Sequence, residues 1–337
     1  MNSSSPLRIG VAGLGHLGSL HAKMLSTARG CVLQSVYDVD PERCASVAKE
    51  YGASAARDLD ELLSQVDAVS IATPTSSHFE VAARAVELGK HVFLEKPITE
   101  TVQQARELNA MAEAKGVKVQ VGHIERFNPA IVAIDTYNPD PLFVESHRLA
   151  QFKPRGTDVP VVLDLMIHDI DIILALVKSQ VEKIEASGIA VISDSADIAN
   201  ARLQFRNGCV ANITASRISQ KQMRKMRLFQ KNAYISIDFG KGSSEVFRIV
   251  EDGDTSVTPT TMLGNIDWGS VNRTIAYEIP AVPQNHNPLQ YELQLFVDAV
   301  NNGTKPIVDG HAAQHALEVA EEIVRIISNQ TSKNADL

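Results

Sequence analysis

A short apolar run, Leu7 to Ala12, ends in Gly13-Leu-Gly15-His-Leu-Gly18, after which Leu17, Leu20, His21, Met24 and Leu25 recur at helical spacing. Strand, glycine turn and helix in that order mark the first unit of a sheet that binds a ligand over a helix N-terminus. Gly13 permits the tight turn, Gly15 lets a pyrophosphate approach the backbone, and Gly18 allows the helix to pack closely on the strand. The backbone N–H groups of the turn, through His16 and Leu17, then face the phosphates at the positive end of the helix. The next strand, Val32 to Tyr37, runs into Asp38, about 20 residues past the turn, where a carboxylate holds adenosine ribose hydroxyls. A carboxylate there repels a 2′-phosphate and no Arg directly follows it, so NAD is the expected cofactor and NADP the less favoured one.

The alternation continues. Asp40 can cap a helix carrying Pro41 in its first turn; Ala68 to Ala72 reads as a buried strand, Phe79 to Leu88 as a helix ended by Gly89, and His91 to Leu94 as another strand. The stripe Val102, Ala105, Leu108, Met111 and Ala112 predicts a helix, and Val117 to Val121 a further strand. Strands separated by helices over this length predict a Rossmann-type, doubly wound parallel sheet. After Gly122 the pattern changes to long strands: Leu142 to Leu149, Lys183 to Ile192, Ala199 to Arg206 and Cys209 to Ile218. Asn207-Gly208 is a hairpin signal, and Asp252-Gly253 reads similarly. The fold class expected is therefore α/β, with a C-terminal α+β domain built on a mainly antiparallel sheet, one face of which needs covering by helices or a partner subunit. At 337 residues the chain suggests two domains of about 100 to 200 residues each. We place a dinucleotide-binding domain at 1–125 and a substrate-binding and oligomerisation domain at 126–337. A helix opens at Asn287-Pro288 and stops at Asn302-Gly303; Ala312 to Ile327 is the last helix, with a frayed polar tail beyond Ser328.

Charge narrows the partners. Lys plus Arg number 32 against 40 Asp plus Glu, a net charge of -8, which is the wrong sign for neutralising a phosphate backbone, so no nucleic acid is expected. The three cysteines, Cys31, Cys44 and Cys209, are odd in number and form no C-x-x-C pair, which fits a reducing cytoplasm. Met1 to Pro6 lacks the basic start and apolar core of a signal peptide, and no apolar run approaches about 18 residues, so no membrane is expected.

Glu95-Lys96-Pro97 stands at the carboxyl end of the strand His91 to Leu94, where ligands of such sheets bind. Gly13-x-Gly15-x-x-Gly18, Thr73-Pro74 with His78, and Glu95-Lys96-Pro97 resemble, in order and spacing, the Gfo/Idh/MocA oxidoreductase family of glucose-fructose oxidoreductase and inositol dehydrogenase. The resemblance implies that Thr73, Pro74, His78, Glu95 and Lys96 belong to the cofactor site, with Lys96 beside the nicotinamide and a cis bond between Lys96 and Pro97. Thr75 stands where the family has Asn, so no contact from that side chain is carried over.

A second cluster lies on the predicted helix Leu163 to Val177, which is apolar almost all round and so expected to be buried. Its polar stripe is Asp164, His168 and Asp171 at i, i+4 and i+7, within about 60 degrees of one another. From the residues alone a capping Asp and a satisfied core His explain the stripe as well. The resemblance implies that Asp164 and His168, with Lys96, form the catalytic group of a dehydrogenase acting on a CH–OH group. In that chemistry a base takes the hydroxyl proton as hydride leaves carbon, and a His titrating near neutrality suits the work. His168 is the first choice; Lys96 would hydrogen-bond the reacting oxygen and Asp164 orient His168 or bind a neighbouring hydroxyl. A Lys of lowered pKa could itself be the base. No third metal ligand accompanies the Asp and His, so no metal is expected.

Gly122-His-Ile-Glu-Arg-Phe-Asn-Pro129 is similar to the corresponding segment of bacterial UDP-N-acetylglucosamine 3-dehydrogenases, which implies a UDP-amino sugar oxidised at its 3-hydroxyl. His123, Arg126 and Asn128 are its substrate-binding candidates, with Asn128 also able to cap a helix opening at Pro129. A diphosphate needs cations, and Arg148, Lys153 and Arg155 precede the catalytic helix; the later group Arg217, Lys221, Arg224, Lys225 and Arg227 reads as a solvated strand face. Two other classes remain: a dehydrogenase of a free polyol such as inositol, or a reductase of a non-sugar compound; and a non-catalytic NAD(H)-binding sensor. An antiparallel sheet with an uncovered face predicts a homodimer or homotetramer.

Overall fold

The computed structural model describes residues 5–152, 159–251, 261–268, 271–282 and 286–335. The chain divides into two compact units, Met1–Ile124 with Asn287–Glu318, and Glu125–His286 with Val319–Leu337.

The first unit is built from β1 (Leu7–Ala12), α1 (His16–Leu25), β2 (Cys31–Tyr37), α2 (Pro41–Tyr51), β3 (Ser54–Ala55), α3 (Leu59–Gln65), β4 (Ala68–Ile71), α4 (His78–Glu87), β5 (His91–Glu95), α5 (Val102–Lys115) and β6 (Val119–Gly122). The sheet order is β3-β2-β1-β4-β5-β6 with every pair parallel, the doubly wound arrangement expected. The chain leaves β1 toward β2 on one side and returns to β4 on the other, so the carboxyl ends of β1 and β4 form the switch point where such sheets bind ligands. Local devices set the helix ends. Asp40 accepts from the Glu42 and Arg43 N–H groups, Thr101 and Gln104 close a capping box on α5, and Gly89 turns at φ +71 after α4.

The core of this unit joins Ile9, Val11, Leu14 and Phe93 to Leu293, Phe296 and Val297 of α8 (Pro288–Asn302). Residues 287–318 therefore return to the first unit, whereas the sequence suggested that everything after 126 belongs to the second. The reason is the apolar face of α8: Phe296 is fully buried edge-on to Phe93, a burial that stabilises by about 1.5–3 kcal/mol.

The second unit opens with the short α6 (Pro129–Val132), capped by Asn128, and β7 (Phe143–Leu149). A single turn of π-helix, Val162–Met166, leads into α7 (Ile167–Val177), where one continuous helix was expected. There follow β8 (Val181–Ile189), β9 (Ile198–Phe205), β10 (Val210–Ser216), β11 (Met223–Gln230), β12 (Ala233–Asp238), β13 (Ser243–Glu251), β14 (Thr261–Trp268) and β15 (Val271–Glu278). They form one sheet in the order β14-β15-β13-β12-β11-β7-β10-β9-β8, antiparallel except for β7 against β10. Asn207-Gly208 makes the β9–β10 hairpin, with Gly208 at φ +87; Asp252-Gly253 lies outside the described residues. One face buries Val144, Leu203, Ile213, Met226, Leu228 and Ile235. The rings of Phe143, Phe229, Tyr234, Phe247 and Tyr277 form a row across five strands, with centroids 4.9–5.9 Å apart. The last helix, α9 (Gly310–Ala335), runs beyond the frayed end expected at Ser328, and Gln330 Nε2 donates to the Ala186 carbonyl at 2.9 Å.

Candidate active site

The glycine turn sits at the switch point. Gly13 has φ +84, in the left-handed region, and a Cβ there would lie 2.8 Å from Ala72 O and Thr73 N, so only glycine lets β1 and β4 deliver their loops side by side. A Cβ at Gly18 would run into the Gly13 carbonyl, whereas at Gly15 it would meet nothing within 4 Å, because Gly15 faces open space. No side chain caps α1, which leaves its first-turn N–H groups for an anion. Gly13, Gly15, His16, Leu17, Asp38, Thr73 and Pro74 line one cleft of about 1390 Å³. A bared helix N-terminus at one end, a carboxylate at the other and glycines where a pyrophosphate must touch backbone together fit a dinucleotide.

Asp38, the expected ribose ligand, also has a structural task. Its Oδ2 accepts the Leu14 N–H at 2.6 Å and its Oδ1 the Asp40 N–H at 2.9 Å, so the carboxylate ties the glycine turn to the start of α2. Arg43 Nη1 donates to both oxygens as well, so a ribose hydroxyl would have to take the place of this longer contact. Arg43 Nη1 stands 3.3 Å from Asp38 Oδ1. No Arg directly follows Asp38 in the sequence, but one turn of α2 brings this one back to it.

Two residues assigned to the cofactor site by resemblance make hydrogen bonds within the first unit. His78 is buried, with Nδ1 2.8 Å from the Pro97 carbonyl and Nε2 3.0 Å from that of Thr73, so both ring nitrogens are engaged by backbone and the ring joins the two loops after β4 and β5. Burial pushes its pKa below the ordinary value, with the two carbonyls pulling the other way. Glu95 Oε1 is 3.0 Å from His21 Nε2, and Oε2 accepts the Lys96 N–H at 3.2 Å. Lys96 is half-buried at the carboxyl end of β5, and the Lys96–Pro97 bond is cis, as expected. His123 is buried just beyond β6.

In the second unit, Asp164 lies within the π turn and His168 in the first turn of α7, both half-buried; an inserted π turn is a frequent mark of a functional site. Asp171, which the sequence grouped with them, is taken by Arg126: Nε to Oδ2 is 2.5 Å and Nη2 to Oδ1 2.7 Å. Arg148, the cation expected for a diphosphate, is buried and forks onto Asp169, with Nε to Oδ2 at 2.7 Å and Nη2 to Oδ1 at 3.1 Å. Burial alone would push the Arg148 guanidinium down, but Asp169 and Glu125 hold it above its ordinary value. The charges of Arg126 and Arg148, expected as substrate ligands, are thus paired with carboxylates of α7 within the same unit. Asn128 is likewise engaged: its Oδ1 caps α6 through the Ala130 N–H and its Nδ2 donates to the Phe239 carbonyl. Arg155 and Lys153 lie outside the described residues. Of the later cations, Arg224, Lys225 and Arg227 pair with Glu125, Asp238 and Glu145 on the strand surface, as expected, but Arg217 is buried and donates to the Val159 carbonyl.

Sequence reasoning passed over Asp169, Arg43, His21 and Ser70. The first was readable as a further carboxylate in an apolar helix, and His21 as a polar residue on the inner face of α1; nothing local marks the other two.

A family model described as "Oxidoreductase family, NAD-binding Rossmann fold" matches residues 7–123, and "GFO/IDH/MocA C-terminal domain" matches residues 131–236. UDP-N-acetylglucosamine 3-dehydrogenase of Acidithiobacillus ferrooxidans is 41% identical over 242 residues, covering 72% of this chain and 77% of that protein. A solved structure of that enzyme superposes with a TM-score of 0.84 at 34% identity, over 96% of this chain and 98% of the other. The scyllo-inositol 2-dehydrogenase (NAD(+)) of Bacillus subtilis is 28% identical over 93% of this chain and 92% of its own length.

Proposed function

Because this chain belongs to the Gfo/Idh/MocA family of NAD-binding oxidoreductases, we propose that it oxidises a secondary hydroxyl of a sugar with NAD, and that the sugar is a UDP-N-acetylamino sugar oxidised at its 3-hydroxyl. The observation that carries the substrate is the 41% identity to a UDP-N-acetylglucosamine 3-dehydrogenase, against 28% for the scyllo-inositol enzyme. NAD supplies the hydride acceptor when bound at the glycine turn. The turn and the N-terminus of α1 hold its phosphates, and Asp38 holds the ribose hydroxyls and disfavours a 2′-phosphate.

His168 takes the hydroxyl proton, Lys96 donates a hydrogen bond to the reacting oxygen and stabilises its developing charge, and Asp164 orients His168 or binds a neighbouring hydroxyl. His123, Arg126, Asn128, Arg148 and Arg155 are the further candidates for contacts to the sugar nucleotide. A homodimer or homotetramer built across the aromatic face of the second unit's sheet belongs to the same reading, and a monomer in dilute solution would contradict it.

The test is NADH formation with UDP-N-acetylglucosamine, UDP-N-acetylglucosaminuronic acid, free inositol and glucose offered separately. Turnover with the first alone supports the proposal. Turnover with free polyols only would replace the nucleotide sugar and leave the dehydrogenase standing. Tight NAD binding with silence on all four would favour a non-sugar substrate or a sensor.

A further inference from the structure

The residues on either side of Lys96 are each tied to a buried imidazole of the first unit. Pro97 meets His78 through its carbonyl, and Glu95 meets His21 through its side chain. The second tie is longer and fully polar. Ser70 Oγ of β4 is 2.8 Å from His21 Nδ1, His21 Nε2 is 3.0 Å from Glu95 Oε1, and Glu95 Oε2 accepts the backbone N–H of Lys96 at 3.2 Å. Ser70 and His21 are 0% exposed. Each imidazole nitrogen has one polar neighbour, Nδ1 the Ser70 hydroxyl and Nε2 the Glu95 carboxyl group, so both ring nitrogens are engaged within the buried core. Gly122 on the neighbouring β6 leaves room for the carboxylate, since a Cβ there would stand 2.9 Å from Glu95 Oε1. His21 lies one turn past Gly18, and its neighbours on the inner face of α1, Ala22 and Leu25, are apolar. An apolar residue would fill the same space without burying a polar chain that loses heavily if any member goes unpaired.

We propose that His21 is a positioning residue for Lys96, acting through Glu95: the Ser70–His21–Glu95 chain fixes the backbone at Lys96 and so sets where its ammonium stands relative to the dinucleotide turn on the same helix. This rests on the reading of Lys96 as a group that works on the reacting oxygen. The chain leaves the pyrophosphate turn and Asp38 untouched, so its loss moves turnover rather than cofactor binding.

The experiment compares His21→Asn, Glu95→Gln and Ser70→Ala with Lys96→Ala, using NAD and UDP-N-acetylglucosamine as probes and calorimetric NAD titration and thermal melting as controls. Expected for His21→Asn is an NAD Kd within about three-fold of wild type and a kcat lower by about ten-fold or more, with the limb of the kcat–pH profile that Lys96→Ala abolishes displaced. Ser70→Ala changes both in the same direction by less. A folded His21→Asn with wild-type kcat and pH profile overturns the proposal, as does a loss confined to NAD affinity or melting temperature. If His21→Asn does not fold, Glu95→Gln and Ser70→Ala carry the same comparison.

Full turnover by Lys96→Ala would instead defeat the reading of Lys96. If the wild type oxidises no sugar offered, trace acetylation of the NAD complex with acetic anhydride decides the matter without a substrate. The rate at Lys96 relative to exposed Lys49, followed against pH by mass spectrometry, changes in His21→Asn if the proposal holds and is identical to wild type if it fails.

Discussion

Replacing Arg148 alone, and replacing it together with Asp169, are expected to have opposite consequences. The guanidinium is 4% exposed, forks onto Asp169 at 2.7 and 3.1 Å, and lies 5.6 Å from the centre of the Phe239 ring. Asp169 is 1% exposed, so Arg148→Met strands its carboxylate in the interior, a loss of about 3–5 kcal/mol. In a unit of this size each kcal/mol moves Tm by about 2–4 °C, so the single variant melts about 6–20 °C lower. Arg148→Met with Asp169→Leu removes both charges, and apolar replacement of a buried pair is neutral or stabilising, so most of the loss returns. Glu125 is not stranded by either change, because Arg224 Nη1 also holds it at 2.9 Å. The assay is thermal unfolding followed by circular dichroism. The second readout is KM for UDP-N-acetylglucosamine, which separates the pairing from a contact to the diphosphate. A double variant no more stable than the single would refute the pairing account; one that melts like wild type but has lost substrate affinity would make Arg148 a diphosphate ligand as well.

Four further outcomes are expected. Gly18→Ala, whose methyl meets the Gly13 carbonyl, should weaken NAD binding by about ten-fold or more in a calorimetric titration. Asp38→Ala should weaken NAD binding and relax discrimination against NADP, whereas Arg43→Ala, which removes the cation 3.3 Å from Asp38, should sharpen that discrimination; kcat/KM ratios for the two cofactors measure both. Burial lowers the His78 pKa from 6.5, so its contribution to stability is complete above that pH and is lost as pH falls through it toward the lower folded value. His78→Gln should flatten the pH dependence of urea midpoints in that window. Burial pushes the Cys31 and Cys209 thiols up to about 11, leaving about one part in a thousand ionised at pH about 8, so both should resist Ellman's reagent until the protein unfolds.

What could be read in the chain without a structure was whatever is encoded within a few residues. The glycine turn, the Asp40 and Asn287 caps, the Asn207-Gly208 hairpin and the strand–helix alternation of the first unit are each a short pattern with a steric or hydrogen-bonding cause, and the parallel sheet followed from them. The strands β11 to β15 were not legible in the same way. Met223-Arg-Lys-Met-Arg-Leu-Phe-Gln230 buries only Met226 and Leu228, so its charges read as a solvated strand face but its bounds and its place in the sheet could not be read. The return of α8 to the first core was equally hidden, because an apolar face does not say which surface it will meet.

The candidate site divides along the same line. Motif residues such as Lys96, Asp38, Asp164 and His168 stand out by type and place, but their partners do not. His21 and Glu95 are 74 residues apart, Arg126 and Asp171 are 45, and Arg148 and Asp169 are 21. The sequence by itself determined that a strand–glycine turn–helix unit of an NAD-binding fold is present, with an acid at the end of the next strand, and which side chains could do chemistry, because those depend on backbone conformation and spacing along one element. Only the tertiary structure decided that Arg126 and Arg148 are held by carboxylates and that Glu95 belongs to His21, because a buried charge is satisfied by whichever strand or helix packs beside it, and that neighbour is chosen by the whole fold.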